Sequence, residues 1–169
     1  DLTLDVAGFV GLSGRVGFSS ETRGTEQYLT AAGAEITARL AAGDAAYVAL
    51  RDADFGFLSN STGELAFELS NGSFDAAIDG LGGVSADEVI VQYTNADTTV
   101  AAETTLDVVD LSYTFTDTIA ADTIAFGVKG FSADVAGFVS LSGDLGFKKT
   151  GDDIVAVGNN VSASLEATD

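Results

Sequence analysis

Five residue types are absent from this 169-residue chain: cysteine, histidine, methionine, tryptophan and proline. Without cysteine and histidine the chain has no disulfide, no thiolate or imidazole metal ligand and no Ser-His-Asp triad. Packing and hydrogen bonds therefore have to hold the fold without covalent cross-links. Lysine is also rare and occurs three times, at Lys129, Lys148 and Lys149.

Positive charge is scarce as well. Lysine and arginine number 7 against 26 aspartates and glutamates, which gives a formal net charge of −19. Such a charge repels the phosphates of nucleic acids and anionic lipid headgroups, so the sequence predicts neither as a partner. A hydrophobic fraction of 46% excludes intrinsic disorder. No apolar run reaches the roughly 20 residues of a membrane span, so we expect no membrane insertion.

The apolar residues that are present alternate with polar ones. Leu65, Phe67 and Leu69 alternate with polar or small residues, and Val109–Phe115 repeats the pattern. Alternation with a period of two is typical of strands that bury one face. Short turn signals separate these segments, for example Asn60–Gly63, Asn71–Gly72 and Thr150–Asp152. The sequence predicts an all-β fold of antiparallel sheets, sandwich-like or solenoid-like, with long glycine-containing strands.

One glycine-rich segment occurs twice. DVAGFVGLSGRVGF at residues 5–18 returns as DVAGFVSLSGDLGF at residues 134–147, with 11 of 14 residues identical and an offset of 129. Both copies keep the two-residue alternation, so their glycines are expected inside strands, at bulges or where another layer approaches closely. The match resumes at Gly33 and Gly158 with an offset of 125, which predicts a loop longer by four residues near Glu21–Gln27.

An alanine-rich stretch, residues 31–54, is helical by propensity alone. Within it, Ile36 and Leu40 correspond to Val161 and Leu165 of the second copy, where serine and β-branched neighbours favour a strand. The repeat therefore predicts strands in both places.

Two domain organisations are compatible with the repeat. In the first, residues 1–169 form a single all-β module that holds about one repeat of about 129 residues plus an overlap, in which residues 5–40 are related to residues 134–165. Such a module would be part of a tandem array. In the second, the chain is one closed domain that contains two related hairpins.

The segments GFVSLSGDLGF at 137–147 and AVGNNVSASLEA at 156–167 loosely resemble the repeat modules of giant secreted bacterial surface proteins, which are adhesin-like. The resemblance is best over residues 4–40 and 132–165. These motifs describe strand packing and specify no chemistry. The resemblance implies an extracellular or cell-surface location and a structural or adhesive role.

No catalytic or cofactor-binding residue is predicted. Among 26 carboxylates some close pairs are inevitable, such as Asp52 with Asp54 or Asp107 with Asp110. Aspartate and glutamate are normally solvated at the surface, and here no histidine is available to act with a nucleophile. We therefore expect that the protein is not an enzyme.

Calcium is the candidate cofactor. Ca²⁺ binds carboxylate, amide and carbonyl oxygens, and several predicted loops supply them. The candidate ligands are Asp152, Asp153, Asn95, Asp97, Asp117 and Asp122. The sequence contains neither an EF-hand loop nor a GGxGxDxUx tandem, so the alternative is diffuse binding of counterions to an acidic surface.

Two functions follow from these observations. In the first, the chain is a structural repeat module of an extracellular bacterial surface protein, a fibre or adhesin stalk, and its partners are copies of itself or adjacent repeats. Because proline is absent and lysine rare, strand edges lack their usual protection, which predicts end-to-end assembly through them. In the second, the chain is a carbohydrate- or protein-binding adhesion module that calcium stabilises.

Overall fold

The fold is all-β and antiparallel, as the alternation predicts. The computed structural model describes residues 1–6, 10–43, 45–80, 82–95 and 98–166, and these residues form eleven strands and no helix. The strands are β1 (Leu2–Val6), β2 (Val10–Arg23), β3 (Glu26–Ala42), β4 (Ala46–Asn60), β5 (Leu65–Ile78), β6 (Gly82–Thr94), β7 (Thr105–Val108), β8 (Leu111–Thr114), β9 (Thr123–Val135), β10 (Val139–Thr150) and β11 (Asp153–Leu165). The alanine-rich stretch lies in β3 and β4, as the repeat predicts. The described part of the chain holds no helix long and apolar enough to cross a membrane.

Nine strands form one large antiparallel sheet in the order β1-β2-β3-β4-β5-β6-β9-β10-β11. Up to β6 each strand pairs with the next one along the chain, because short turns join them. The chain then leaves the sheet, forms the separate β7–β8 hairpin, and returns as β9 on the free side of β6. A bridge between Val100 and Ile119 closes the base of this insertion.

The four additional residues of the first copy do not form a longer loop. The β2–β3 ladder continues to the pair Arg23↔Glu26, whereas the β10–β11 ladder ends at Thr150↔Asp153. In both hairpins two residues connect the last pair. The loop predicted near Glu21–Gln27 is therefore wrong: the additional residues lengthen the two strands by two cross-strand pairs.

A line of β-bulges crosses the large sheet. Along this line the ladder register shifts or the backbone has a positive φ. The residues on the line that have a positive φ are Gly14, Glu35, Asp52, Asn71, Gly130, Gly143 and Asn160. The turn predicted at Asn71–Gly72 is wrong, because both residues lie inside β5. Asparagine tolerates a positive φ, which is found in β-bulges as well as in turns, so the same residue occurs in both.

The core lies on both faces of the large sheet. On one face the β7–β8 hairpin packs over β2 to β5, and its Val108 and Phe115 are fully buried there with Ala66. A second cluster, around Ala86, Val89 and Val128, lies beside the line of bulges. Each strand thus contributes side chains to both layers in alternation, so the strand period determines which residues meet the hairpin.

Candidate functional site

The two copies of the glycine-rich segment form equivalent hairpins near opposite edges of the sheet. In β1–β2 the pairs Leu2↔Gly14 and Leu4↔Leu12 are formed. Adding the offset of 129 gives Phe131↔Gly143 and Ala133↔Leu141, which are pairs of β9–β10. The sequence repeat is therefore also a repeat of strand register.

The equivalence extends to a third strand. Ser13 pairs with Thr37 between β2 and β3, and Ser142 pairs with Ser162 between β10 and β11. Beyond these pairs both ladders shift register at a bulge, where Glu35 has a φ of 57° and its counterpart Asn160 a φ of 51°. The group β9–β10–β11 is thus a second β1–β2–β3, placed six strands further along the same sheet.

The terminal strands β1 and β11 have different neighbours from their counterparts β9 and β3. β9 pairs with β6, and β3 pairs with β4, whereas β1 and β11 are the two ends of the sheet order. Every described residue of β11 is exposed, although β3 buries Ala31 and Ala32. Neither terminal strand contains the proline or lysine that commonly protects edges. Among the described residues, no further strand pairs with the outer side of β1 or of β11.

The surface that receives the β7–β8 hairpin is also duplicated. Val108 lies so close to Gly17 on β2 that a Cβ atom at Gly17 would be 2.9 Å from Val108 Cγ1, and Ala32 beside it is 1% exposed. The counterparts of Gly17 and Ala32 are Gly146 and Val157. Val157 is 63% exposed. The β10–β11 pair thus repeats the hairpin platform with no hairpin on it in the described part of the chain.

A buried polar network fixes the hairpin to the sheet. Glu68 of β5 is fully buried, and its Oε1 accepts hydrogen bonds from Tyr113 Oη (2.9 Å) and Thr116 N (3.1 Å). Gln92 Nε2 donates to Glu68 Oε2 at 2.6 Å, and Ser70 Oγ lies 3.0 Å from Tyr113 Oη. Burial raises the pKa of Tyr113 well above its usual value, so its phenol remains a donor.

Sequence reasoning did not single out Glu68. The alternation of β5 places Glu68 on the polar side of the strand, where a carboxylate is normally solvated. The available signal was the small residues Ala66 and Ser70, which flank it on the same face and leave space for a second layer.

Three of the predicted calcium ligands lie in loops at one end of the sheet. Asp122 N donates to Asn95 O at 2.9 Å, and Gly151 N, next to Asp152, donates to Asp122 O at 3.0 Å. The Asn95 side chain is engaged within these loops, since its Oδ1 accepts from Leu65 N at 3.1 Å and from Thr98 Oγ1 at 2.5 Å.

Of the other predicted ligands, Asp153 is adjacent to Asp152 at the same end of the sheet. Asp153 begins β11, Asp117 is exposed beyond β8, and Asp97 lies outside the described residues. Over residues 1–6, 10–43, 45–80, 82–95 and 98–166, no three aspartates or glutamates come together in a group that could hold a metal ion. The calcium site stays a prediction.

The features that distinguish this molecule are therefore surfaces of the large sheet. They comprise two strand edges, a platform that a hairpin covers, and a second copy of that platform that is exposed. Comparisons of the chain with protein-family models, with curated proteins and with solved structures found no match.

Proposed function

We propose that the chain is a structural repeat module that continues edge to edge into further units of the same kind, in an extracellular surface fibre or adhesin stalk. The observation that carries this proposal is the matched register of β1–β2–β3 and β9–β10–β11 six strands apart in one sheet. Related hairpins of one closed domain would also share a register, because similar sequences set similar pairings. The array is favoured because the sheet ends at β1 and at β11, where the counterparts β9 and β3 each have a further neighbour.

The internal contacts of the sheet define how such units join. β6 is the neighbour of β9, so the β6 of a preceding unit would pair with β1, the counterpart of β9. β4 is the neighbour of β3, so the β4 of a following unit would pair with β11. The β7–β8 hairpin of that following unit would then cover Val157, as the hairpin here covers Ala32. Each joint repeats a contact already present within the chain.

Successive units would be displaced along the strands. A row of directly paired residues, one on each strand, runs across the sheet from Val16 on β2 to Phe147 on β10. Phe147 is the counterpart of Phe18 and not of Val16, so each unit shifts by two residues. At about 3.4 Å per residue the shift is about 7 Å per unit. The array is therefore a sheared ribbon whose strands lie across its long axis.

An extended chain tests the proposal. Residues 1–165 followed directly by residues 41–169 would place a second β4 after β11, in the sequence context that β4 has after β3. We expect the amide hydrogens of β11 to exchange as slowly as those of β3 do, and the melting temperature to rise, because stacked repeats stabilise their neighbours. Hydrogen exchange followed by NMR or mass spectrometry measures this.

The matched control carries a flexible glycine-serine linker of about 20 residues between Leu165 and the added segment. The linker keeps the composition but removes the continuous connection from β11 into the new β4. We expect β11 in this control to exchange faster than in the direct fusion. Exchange of β11 in the direct fusion as fast as in the original chain would contradict the proposal.

A further inference from the structure

One face of the large sheet is apolar over its whole width. It lies opposite the β7–β8 hairpin, and three rows of cross-strand partners run across it. The rows are Phe18, Ala31, Phe57, Phe67, Tyr93, Ile124, Lys149 and Ile154; then Val16, Gly33, Phe55, Leu69, Val91, Phe126, Phe147 and Ala156; then Val10, Leu40, Val48, Ala76, Val84, Ala133, Leu141 and Ala163. We call these residues the apolar face.

The apolar face is continuous across the line of bulges. Leu69 and Val91, on one side of the line, pack in the same cluster as Phe74 and Phe131 on the other side. Val89 and Val128, next to the line, are 7% exposed although no other layer covers them among the described residues. Neighbouring side chains of the same sheet, Leu69, Phe74 and Phe131 among them, pack around these two valines.

Several large side chains elsewhere on the apolar face are exposed to solvent. Phe18 is 67% exposed, Phe126 48% and Phe147 42%. One face position of a strand covers about 33 Å², so the three rows cover about 800 Å². This footprint matches the area of about 800 Å² that a stable dimer buries on each partner.

The distribution of charge indicates what kind of molecule can cover the apolar face. The chain carries a net charge of −19, yet none of its carboxylates lies in the three rows, whose one charged residue is Lys149. Two copies can therefore bring these three rows together without placing a carboxylate between them. An amphipathic sheet is stable when its apolar side meets another layer, and a second identical sheet provides a layer of matching size and polarity.

We propose that a second copy of the chain packs on the apolar face and that the two large sheets form a two-layer sandwich. This association uses the face and leaves both strand edges available. It therefore stands independently of the edge-to-edge arrangement, and in a long array it would pair two ribbons back to back. Face pairing stops at two copies, whereas edge pairing is open-ended, so the two associations differ in their stoichiometry.

The test compares two double variants that add equal charge to the same two strands. Phe126→Glu/Phe147→Glu alters a cross-strand pair of β9 and β10 on the apolar face. Ser132→Glu/Ser142→Glu alters another exposed pair of these strands, on the opposite face. Sedimentation velocity and light scattering, in about 0.5 M NaCl to screen repulsion, give the mass of each at several concentrations. Phe18→Glu, at the most exposed aromatic residue of the three rows, is a third variant that disturbs no packed core.

We expect the unaltered chain and the serine variant to reach about 34 kDa, twice the monomer mass of 17.1 kDa. The phenylalanine variant should remain monomeric, and Phe18→Glu should weaken the dimer at least tenfold with an unchanged circular dichroism spectrum. A strictly monomeric unaltered chain at high concentration would overturn the proposal. So would equal weakening by the serine variant, or binding of the monomer to neutral phosphatidylcholine vesicles in place of dimerisation.

Discussion

Tyr113 Oη lies 2.9 Å from Oε1 of the fully buried Glu68, and this contact joins the β7–β8 hairpin to the large sheet. Two strands of four residues each are too short to form a stable hairpin in water by themselves. The hairpin therefore depends on the sheet, and the sheet provides both the apolar surface around Ala66 and a specific acceptor.

Replacing Tyr113 with phenylalanine removes the hydroxyl that donates to Glu68. We expect the free energy of unfolding to fall by about 1–3 kcal/mol, because a buried carboxylate oxygen loses a partner. Urea denaturation at low protein concentration measures the change. Tyr93→Phe is the matched control: Tyr93 is 38% exposed, and its loss of a hydroxyl should change stability by less than about 0.5 kcal/mol. Equal effects of the two substitutions would contradict this account of the network.

Glycine at position 56 allows the same tyrosine ring to lie against the sheet backbone. A Cβ atom at Gly56 would overlap Cδ1 of Tyr113, so Gly56→Ala should displace the ring and destabilise the protein by about 1–3 kcal/mol. At Gly11, on β2, no atom lies within 4 Å of the position of a Cβ atom. Gly11→Ala should therefore be neutral or slightly stabilising. Thermal melts of the two variants give the comparison, and a neutral Gly56→Ala would contradict close packing of the hairpin.

The strands could be predicted from the sequence because alternation is a local signal. The pattern around Phe67 and Leu69 identifies β5, and the repeated segments contain β2 and β10. The prediction that the second segment is a strand throughout is wrong, because residues 136–138 form the turn between β9 and β10. Which strands carry a second layer could not be predicted, because Glu68 looks like an ordinary surface carboxylate until Tyr113, 45 residues away, is brought to it. The offset between the two copies showed four additional residues, but an offset alone does not distinguish a longer loop from longer strands.

The paired bulges at Gly14 and Gly143 provide a test of the structural repeat. Their φ angles are 145° and 134°, in the region that favours glycine, and neighbouring backbone atoms lie within about 3 Å of the position of a Cβ atom at both sites. Gly14→Ala and Gly143→Ala should each destabilise the protein by about 1–3 kcal/mol.

Gly127 on β9 is the control for this pair. Its nearest neighbour, Leu145 O, would be 3.9 Å from a Cβ atom, so Gly127→Ala should change stability by less than about 1 kcal/mol. Chemical denaturation of all three variants measures the differences. Stability losses confined to one of the two bulges would show that the copies are not equivalent in energy, although they share a register.

The pair of Arg51 with Asp75 makes part of the stability depend on pH. Arg51 Nε donates to Asp75 Oδ1 at 2.8 Å, and this hydrogen bond lowers the pKa of the Asp75 carboxyl below its usual value. A lowered pKa in the folded state contributes stability above the unfolded pKa near 4, and this contribution is lost as the pH falls through the folded value. Because both side chains are partly solvated, the contribution should stay below about 1 kcal/mol.

Asp75→Asn should accordingly lower stability at pH 7 and have a smaller effect at pH 2.5. Urea denaturation at the two pH values gives the comparison. Asp110→Asn, at an exposed position in the β7–β8 turn, serves as the control and should have little effect at pH 7. A difference between Asp75→Asn and the unaltered chain that grows as the pH falls would contradict the direction of the shift.

A specific calcium site and general screening of charge have different effects on the melting temperature. Any salt should raise the melting temperature, because it weakens self-repulsion within a chain of net charge −19. A specific site adds a saturable increment, about 1.4 kcal/mol when free Ca²⁺ is ten times Kd. We expect that increment over NaCl of matched ionic strength, and we expect Asp152→Asn/Asp153→Asn to remove it while Asp107→Asn/Asp110→Asn keeps it. Melts that coincide in Ca²⁺ and in matched NaCl would eliminate the site and leave diffuse counterion binding, since a bound ion has to stabilise the folded state that holds it.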